Sequence, residues 1–191
     1  MDPALPLLRL PETLSDGVIL LDAHTVEDAE AHLDGEDEEM RLRFDAPRAA
    51  TLADIRAAMA RWIEGRAAGG PMFAYALRQP SGRLMGGCEL RMLTPTSANV
   101  SYWVFPPFRR KGFAVRALTL LCEAAVHVDG LDRLEAHIAP DNLASRRLAE
   151  RVGFIEVGAV RETSWSGATT AMALYTRSVA GRLAGLETQV P

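Results

Sequence analysis

The feature that most constrains this chain is a change of hydrophobic period near its middle. Met72–Leu77, Leu84–Leu93 and Ala98–Phe105 are strand-like runs. They are separated by Gln79-Pro80-Ser81-Gly82 and by Thr94-Pro95-Thr96, so they read as a meander of three antiparallel strands. The period then shifts. Val115, Leu118, Leu121, Cys122, Ala125 and Val126 recur at helical spacing between Phe113 and Val128, and Gly130 closes the segment. Leu131–Ile138 alternates again, with Leu134, Ala136 and Ile138 on one face and Arg133, Glu135 and His137 on the other. A meander followed by strand, helix and strand implies a sheet of mixed direction with helices packed on it.

The flanks extend this pattern. Residues 1–16 read as an irregular lead-in, and Gly17–Asp22 as a first strand. Thr25 is placed to cap a helix over VEDAEAHL, and Thr51 to cap one over LADIRAAMARWIEGRAA, which Gly69-Gly70 ends. Asp141 and Asn142 can cap a helix running through Arg151, with Gly153 just past its end. Phe154–Val160 and Ala171–Tyr175 supply two more strands, and a tail follows from residue 177 to 191. The expected architecture is one α/β domain over residues 17–176, with a central sheet of six to seven strands. A length of 191 residues suits a single domain. No apolar run reaches the ~18 residues of a membrane span. Two cysteines without a CxxC exclude a disulfide framework and point to a cytoplasmic setting.

The stretch most specific for chemistry is VFPPFRRKGFAV, residues 104–115, where a strand ends, a loop passes and a helix begins at a glycine. The N–H groups of Arg109, Arg110, Lys111, Gly112, Phe113 and Ala114 are the unpaired donors of that helix start. With the helix dipole they suit a pyrophosphate. Arg109, Arg110 and Lys111, the sole lysine, add positive charge, and Gly112 admits close backbone approach. The spacing is neither that of a Walker A loop nor that of a GxGxxG turn.

Arg109-x-x-Gly112-x-Ala114 resembles the R/Q-x-x-G-x-G/A signature of the GNAT superfamily of acetyl-CoA-dependent N-acetyltransferases. SYWVFPPFRRKGFA, followed by NLASRRLAERVGF from Asn142, is similar to the branch that holds the ribosomal-protein N-terminal acetyltransferases RimJ and RimL. The resemblance implies a GNAT fold whose fourth and fifth strands splay into a V. It implies that residues 109–114 hold the pyrophosphate of acetyl-CoA, that the Val104 backbone pairs with the pantetheine arm, and that Asn142 holds the pantetheine. Many members carry a tyrosine acid in the second of these helices. The matching position here is Ala149, which leaves Ser145 near the sulfur, or water, as the candidate proton donor. The implied reaction is direct acetyl transfer to a primary amine, either a protein N-terminus or a cationic small molecule. A non-catalytic acyl-CoA-binding domain would carry the same motifs.

An acceptor amine must lose a proton before it attacks. Glu89, in the middle of GGCELRM, is the first candidate base and Glu135 the second. Residues 1–65 carry a net charge of −9 and residues 66–191 one of +5. Glu36, Asp37 and Glu38 could therefore draw a cationic acceptor. Trp165, in a loop between the last strands, could line its site. The four histidines lack ligand spacing, so no metal is expected; His24 reads as a loop residue and His32 as a helix-surface one. Dispersed arginines and a pI near 5.6 argue against nucleic acid. A homodimer is compatible with the sequence.

Overall fold

A computed structural model describes residues 7–44, 48–163 and 169–179, together with residues 5, 46 and 167. Its strands are β1 (Leu14–Ser15), β2 (Leu20–Asp22), β3 (Met72–Arg78), β4 (Leu84–Thr94), β5 (Ser97–Val104), β6 (Arg133–Ile138), β7 (Ile155–Thr163) and β8 (Thr169–Ser178). Its α-helices are α1 (Asp28–Gly35), α2 (Glu38–Arg43), α3 (Leu52–Ala68), α4 (Phe113–Ala124) and α5 (Leu143–Arg151). One sheet holds all eight strands, in the order β1-β2-β3-β4-β5-β6-β8-β7. Every pairing is antiparallel except that of β5 with β6.

The local signals act as expected at several ends. Thr51 forms a capping box with Asp54 at the start of α3, and Gly69 closes that helix in the left-handed conformation. Asn142 caps α5 by accepting the Ser145 N–H. The connection β5–α4–β6 is a parallel crossover, which places α4 on one sheet face. On that face Cys122 of α4 neighbours Cys88 of β4, and α5 lies beside α4. The opposite face carries α1 and α3, whose His32 and Trp62 meet Trp103 of β5.

Three expectations need correction. The mixed, mostly antiparallel sheet is as expected, but among the described residues it has eight strands where about six to seven were expected, so the lead-in is not irregular throughout. The additional strand lies inside the expected lead-in, where Leu14 pairs with Leu21 and Leu8 and Leu10 are buried. Prolines hide this run from periodicity, yet Leu8 N–H donates to the Gly69 carbonyl and ties the segment to the end of α3. Thr25 does not cap α1, which starts three residues later with Glu27 at its N-cap. Asp28 reaches back instead, accepting the Thr25 N–H at 2.8 Å. His32 is buried rather than on a helix surface, and His24 is buried with it, both packed among Trp62 and Trp103. At the other end β8 runs to Ser178 and Val179 is buried; the expected tail beyond it lies outside the described residues.

Two polar knots fasten the layers. Arg78 of β3 donates to both Asp28 oxygens, at 2.7 and 2.6 Å, and to Asp22 at 2.7 Å. Burial, the largest single effect, would raise the Asp28 pKa, but the Arg78 hydrogen bonds, the Thr25 N–H and the Arg78 charge together outweigh it and hold the carboxyl below its usual range. In the second knot His137 of β6 meets Glu162 of β7 at 2.5 Å through Nδ1 and Glu135 at 3.1 Å through Nε2. Burial alone would lower the His137 pKa; the two carboxylates outweigh it and raise it.

Two outcomes follow. Asp28→Ala strands a buried guanidinium and should cost about 3–5 kcal/mol, read from urea unfolding. The charged form of His137 is the one stabilised, so its contribution is full below the ordinary histidine pKa. It is lost as pH rises through the raised folded value. His137→Gln should therefore lower the melting temperature clearly at pH 6 and little at pH 9.

Candidate active site

The site begins where the sheet comes apart. β5 and β6 pair only over Ser97–Asn99 with Arg133–Glu135. Beyond that, β5 stays with β4 as far as the Phe105 N–H to Met85 carbonyl bond, while β6 stays with β8 as far as Ile138 and Ala173. The facing edges of Val100–Val104 and Ala136–Ile138 are left without each other. This is the V that the resemblance implies, in the place it implies. Because β5 and β6 are parallel, the loops into α4 and α5 both leave from the same end of the V.

On the β5 side a 3-10 turn, Pro106–Phe108, leads to the start of α4. Arg110 has φ +61° and Gly112 has φ +82°, both in the left-handed region. For an arginine that conformation costs on the order of 1 kcal/mol, and such outliers gather at ligand sites. Left-handed residues in a tight turn are the kind of backbone from which anion-binding nests are built. Nothing lies within 4 Å of where a Gly112 Cβ would stand. In front of the glycine is a cleft of about 370 Å³ lined by Lys111, Gly112, Val115, Arg116 and Arg151. The N–H groups of Phe113 and Ala114, in the first turn of α4, are among its orphan donors. The loop fits a pyrophosphate.

The cations around that cleft differ from those expected. Arg109 is not free beside it. Its Nη1 donates to Asp37 at 2.6 Å and to Glu39 at 2.9 Å, its Nη2 to Asp37 at 2.9 Å and its Nε to the Val104 carbonyl at 2.9 Å. The Val104 carbonyl is thereby occupied. Since Phe105 N–H points to β4, strand alternation turns the Val104 N–H into the V. Lys111 donates to the Pro107 carbonyl at 2.8 Å, and Arg110 is exposed. Sequence reasoning missed Arg116 and Arg151 as lining residues. Arg116 stands four residues beyond Gly112 and was findable from helix geometry, whereas Arg151 reaches the cleft only because α5 packs beside α4.

The acidic run has intramolecular partners. Asp37 caps α2 through the Met40 N–H and clamps Arg109, whose hydrogen bonds hold its carboxyl below the usual range. Glu36 faces His32 at 3.4 Å and Glu38 faces Arg41 at 3.3 Å. At the other end of α2, Arg43 donates to both oxygens of Asp141, at 2.9 Å each. Arg109 follows β5 and Asp141 follows β6. α2 is therefore strapped across the open end of the V, by Arg109 with Asp37 and Glu39 on one side and by Arg43 with Asp141 on the other.

On the β6 side, Asn142 spends its side-chain oxygen on capping α5. Ser145, in the first turn, has its Oγ 2.5 Å from the phenol oxygen of Tyr102 on β5. Glu89 lies on the α1–α3 face of β4, opposite Ser101 in register. It is half-buried rather than an outward charge. Burial raises its pKa against a hydrogen bond from Ser101. Continuing the register past Asn99 and Glu135 sets Ser101 level with His137 across the gap. Trp103 and Phe44 stand edge to face, 6.2 Å between centroids, on the same side. Glu135 is taken up by Arg133 and His137. Trp165 lies outside the described residues. Burial pushes the Cys122 thiol up to about 11 and the Cys88 thiol higher still, so neither is a ready nucleophile. Among the described residues, no helix is long and apolar enough to cross a membrane, and no group of three or more His, Cys, Asp or Glu is disposed to hold a metal ion.

Known structures share this architecture. The ribosomal-protein alpha-N-acetyltransferase RimL in complex with coenzyme A superposes with a TM-score of 0.74 at 19% identity, covering 89% of this chain and 97% of that one. The microcin C7 self-immunity acetyltransferase MccE, in complex with acetyl-CoA and AMP, gives 0.72 at 16%, covering 86% and 94%. A spermidine N-acetyltransferase chimera from Vibrio cholerae and hSSAT gives 0.68 at 17%, covering 84% and 95%. No protein of curated function matches the chain in sequence. The sequence profile of the acetyltransferase (GNAT) domain matches residues 19–155, which include the meander, the nest, the strap and α5. With that match over most of its length, the chain belongs to the GNAT acetyltransferase family.

Proposed function

We propose that the protein transfers acetyl from acetyl-CoA to a primary amine by direct attack. The observation that carries this reading is the open, cation-lined cleft at the α4 start, leading into a V whose backbone edge is unpaired. In the proposed arrangement the N–H groups from Arg110 to Ala114 hold the pyrophosphate, with Lys111, Arg116 and Arg151 around it; the Arg109 N–H, expected to be free, is taken by the Pro106 carbonyl at 3.2 Å. The Val104 N–H and the Asn142 side-chain amide meet the pantetheine arm. The amine nitrogen forms a bond to the thioester carbonyl carbon and loses one proton. The carbon–sulfur bond breaks, sulfur keeps the electron pair, and the thiolate, met by a hydrogen bond from Ser145, takes one proton from water. Ser145 is the group that serves the sulfur. Glu89 takes the amine proton, and its raised pKa suits it to a proton leaving near neutral pH. The buried, protonated thiols of Cys88 and Cys122 support direct attack over an acyl-enzyme.

The acceptor reaches the V from the α1–α3 side, past Trp103, Phe44 and the Glu89–Ser101 pair. RimL acts on a protein N-terminus and the chimera on spermidine; both are amines that carry positive charge. A cationic acceptor also fits the half-buried carboxylates on this face. The strap limits its size, since α2 spans the end of the V. Asp37 then matters by holding α2 in place more than by its field.

Gly112→Glu should abolish acetyl-CoA binding in a folded protein, because it fills the nest and adds a negative charge; calorimetric titration checks it, and unchanged affinity would sink the assignment. Asp37→Asn, which loosens α2 and Arg109 together, should raise the acceptor KM severalfold in a steady-state CoA-release assay with a panel of amines. Glu38→Gln, whose partner Arg41 leaves the pair solvent-facing, and Glu36→Gln, which faces His32 and not Arg109, should each change it by less than about twofold. Equal effects from all three would return the acidic run to a role in attraction.

A further inference from the structure

The sequence offered Ser145 alone as the group serving the departing sulfur. The fold adds a partner that no motif marks. Tyr102 sits on β5 between Val100 and Val104, and its side chain points to the face covered by α4 and α5. There its phenol oxygen lies 2.5 Å from Ser145 Oγ and 3.3 Å from the Ser145 carbonyl. We propose that Tyr102 is the positioning residue for Ser145, donating its phenolic hydrogen to Ser145 Oγ so that the serine's own hydrogen is left to point at the sulfur. The proposal rests on the acetyl-transfer reading above.

The argument is one of counting hydrogens. A serine hydroxyl has one hydrogen and two lone pairs, and a phenol has one hydrogen to give. Between two oxygens 2.5 Å apart there is one hydrogen. If serine supplies it, the tyrosine hydrogen has only the more distant carbonyl to go to, and serine has nothing left for the sulfur. If tyrosine supplies it, Ser145 is held by an acceptor lone pair and keeps its hydrogen for the V. The second arrangement draws on two further features of the site. Burial raises the Tyr102 pKa, so the phenol keeps its hydrogen across the working range. Ser145 is also fixed from the backbone side, where its N–H donates to the Asn142 cap at 3.1 Å. The serine is thus gripped at its amide by α5's own cap and at its oxygen by the facing strand.

Charge grows on sulfur as the carbon–sulfur bond breaks. A hydroxyl that accepts one hydrogen bond becomes a better donor of the next, because chained hydrogen bonds polarise one another. The benefit appears in the transition state more than in the ground state, and so falls on kcat. Tyr102 touches neither the sulfur nor the acceptor in this arrangement. Its whole effect runs through Ser145, which makes it separable by experiment.

The test is a double-mutant cycle on the full chain with acetyl-CoA and a saturating amine. Tyr102→Phe keeps the ring and removes the hydroxyl. It should lower kcat about threefold to tenfold, the effect of one net hydrogen bond, with the KM and Kd for acetyl-CoA unchanged. In the Ser145→Ala background the same substitution should change kcat by less than about twofold. An unaltered Kd also reports that the fold and the nest survive. Wild-type kcat in Tyr102→Phe beside an impaired Ser145→Ala would overturn the tyrosine's role and leave the serine's intact. Equal losses in both backgrounds, or a loss confined to KM, would make Tyr102 a packing residue and overturn it as well. A wild-type Ser145→Ala would remove the serine from the reaction, and the proposal with it.

Discussion

Everything functional in this molecule depends on two parallel strands that hold each other for three residues and then part. A sheet normally satisfies each backbone N–H and C=O by its neighbours. Here the sheet is two blocks, β1 to β5 and β6 to β8, each paired internally up to its end. The blocks are joined only at Ser97–Asn99 and Arg133–Glu135. Past that hinge the inner edges have backbone groups to offer a ligand. The Val104 carbonyl is met by Arg109, so the chain itself closes part of the edge. Because the strands run in parallel, both crossover helices start at the wide end, and two sets of orphan N–H groups face the same space.

The charge asymmetry of the sequence has its physical meaning in this geometry. The acidic front and the basic back are stitched to each other by Arg109 with Asp37 and Glu39, Arg116 with Asp16, and Arg66 with Glu12. Arg43 with Asp141 is a reversed pair of the same kind, linking the same two regions. Most of these partners are solvent-facing on at least one side. Each is therefore worth a fraction of a kcal/mol, and together they fix geometry more than stability. They seat α2 across the V and dock the β1–β2 turn against α4. The Arg78–Asp28 knot is different in kind, because both side chains are buried and neither can lose its partner cheaply.

How far the sequence could be read follows from the range of each signal. The meander, the period change at Phe113, the Thr51 cap and the glycine stops are local, and they placed seven strands and four of the α-helices; α2, a short helix over Glu38–Arg43, went unread. Leu14–Ser15 is a two-residue strand whose existence rests on pairing with Leu21 and on the burial of Leu8 and Leu10, none of which periodicity registers. His24 read as a loop residue, which it is, and His32 as a helix-surface one; two tryptophans from α3 and β5 make both rings interior. Arg109 was legible as a cation but not as a clamped one, since its partners lie about 70 residues away. Tyr102 and Ser145, 43 residues apart, are joined only by the packing of α5 on β5.

The same packing explains why a serine can serve where relatives use a tyrosine. Ala149, the position that corresponds to that tyrosine, is fully buried, and its carbonyl accepts the Phe154 N–H at 3.0 Å. A phenol ring there would have to displace the core beneath α5, which tolerates no such volume. One turn earlier, Ser145 is at the mouth of the helix rather than along its flank. A group at that position gains from the first-turn N–H groups and the positive end of the helix dipole, both of which favour a developing anion. A hydroxyl that only donates a hydrogen bond to such an anion asks less of its own acidity than a phenol that must surrender its proton.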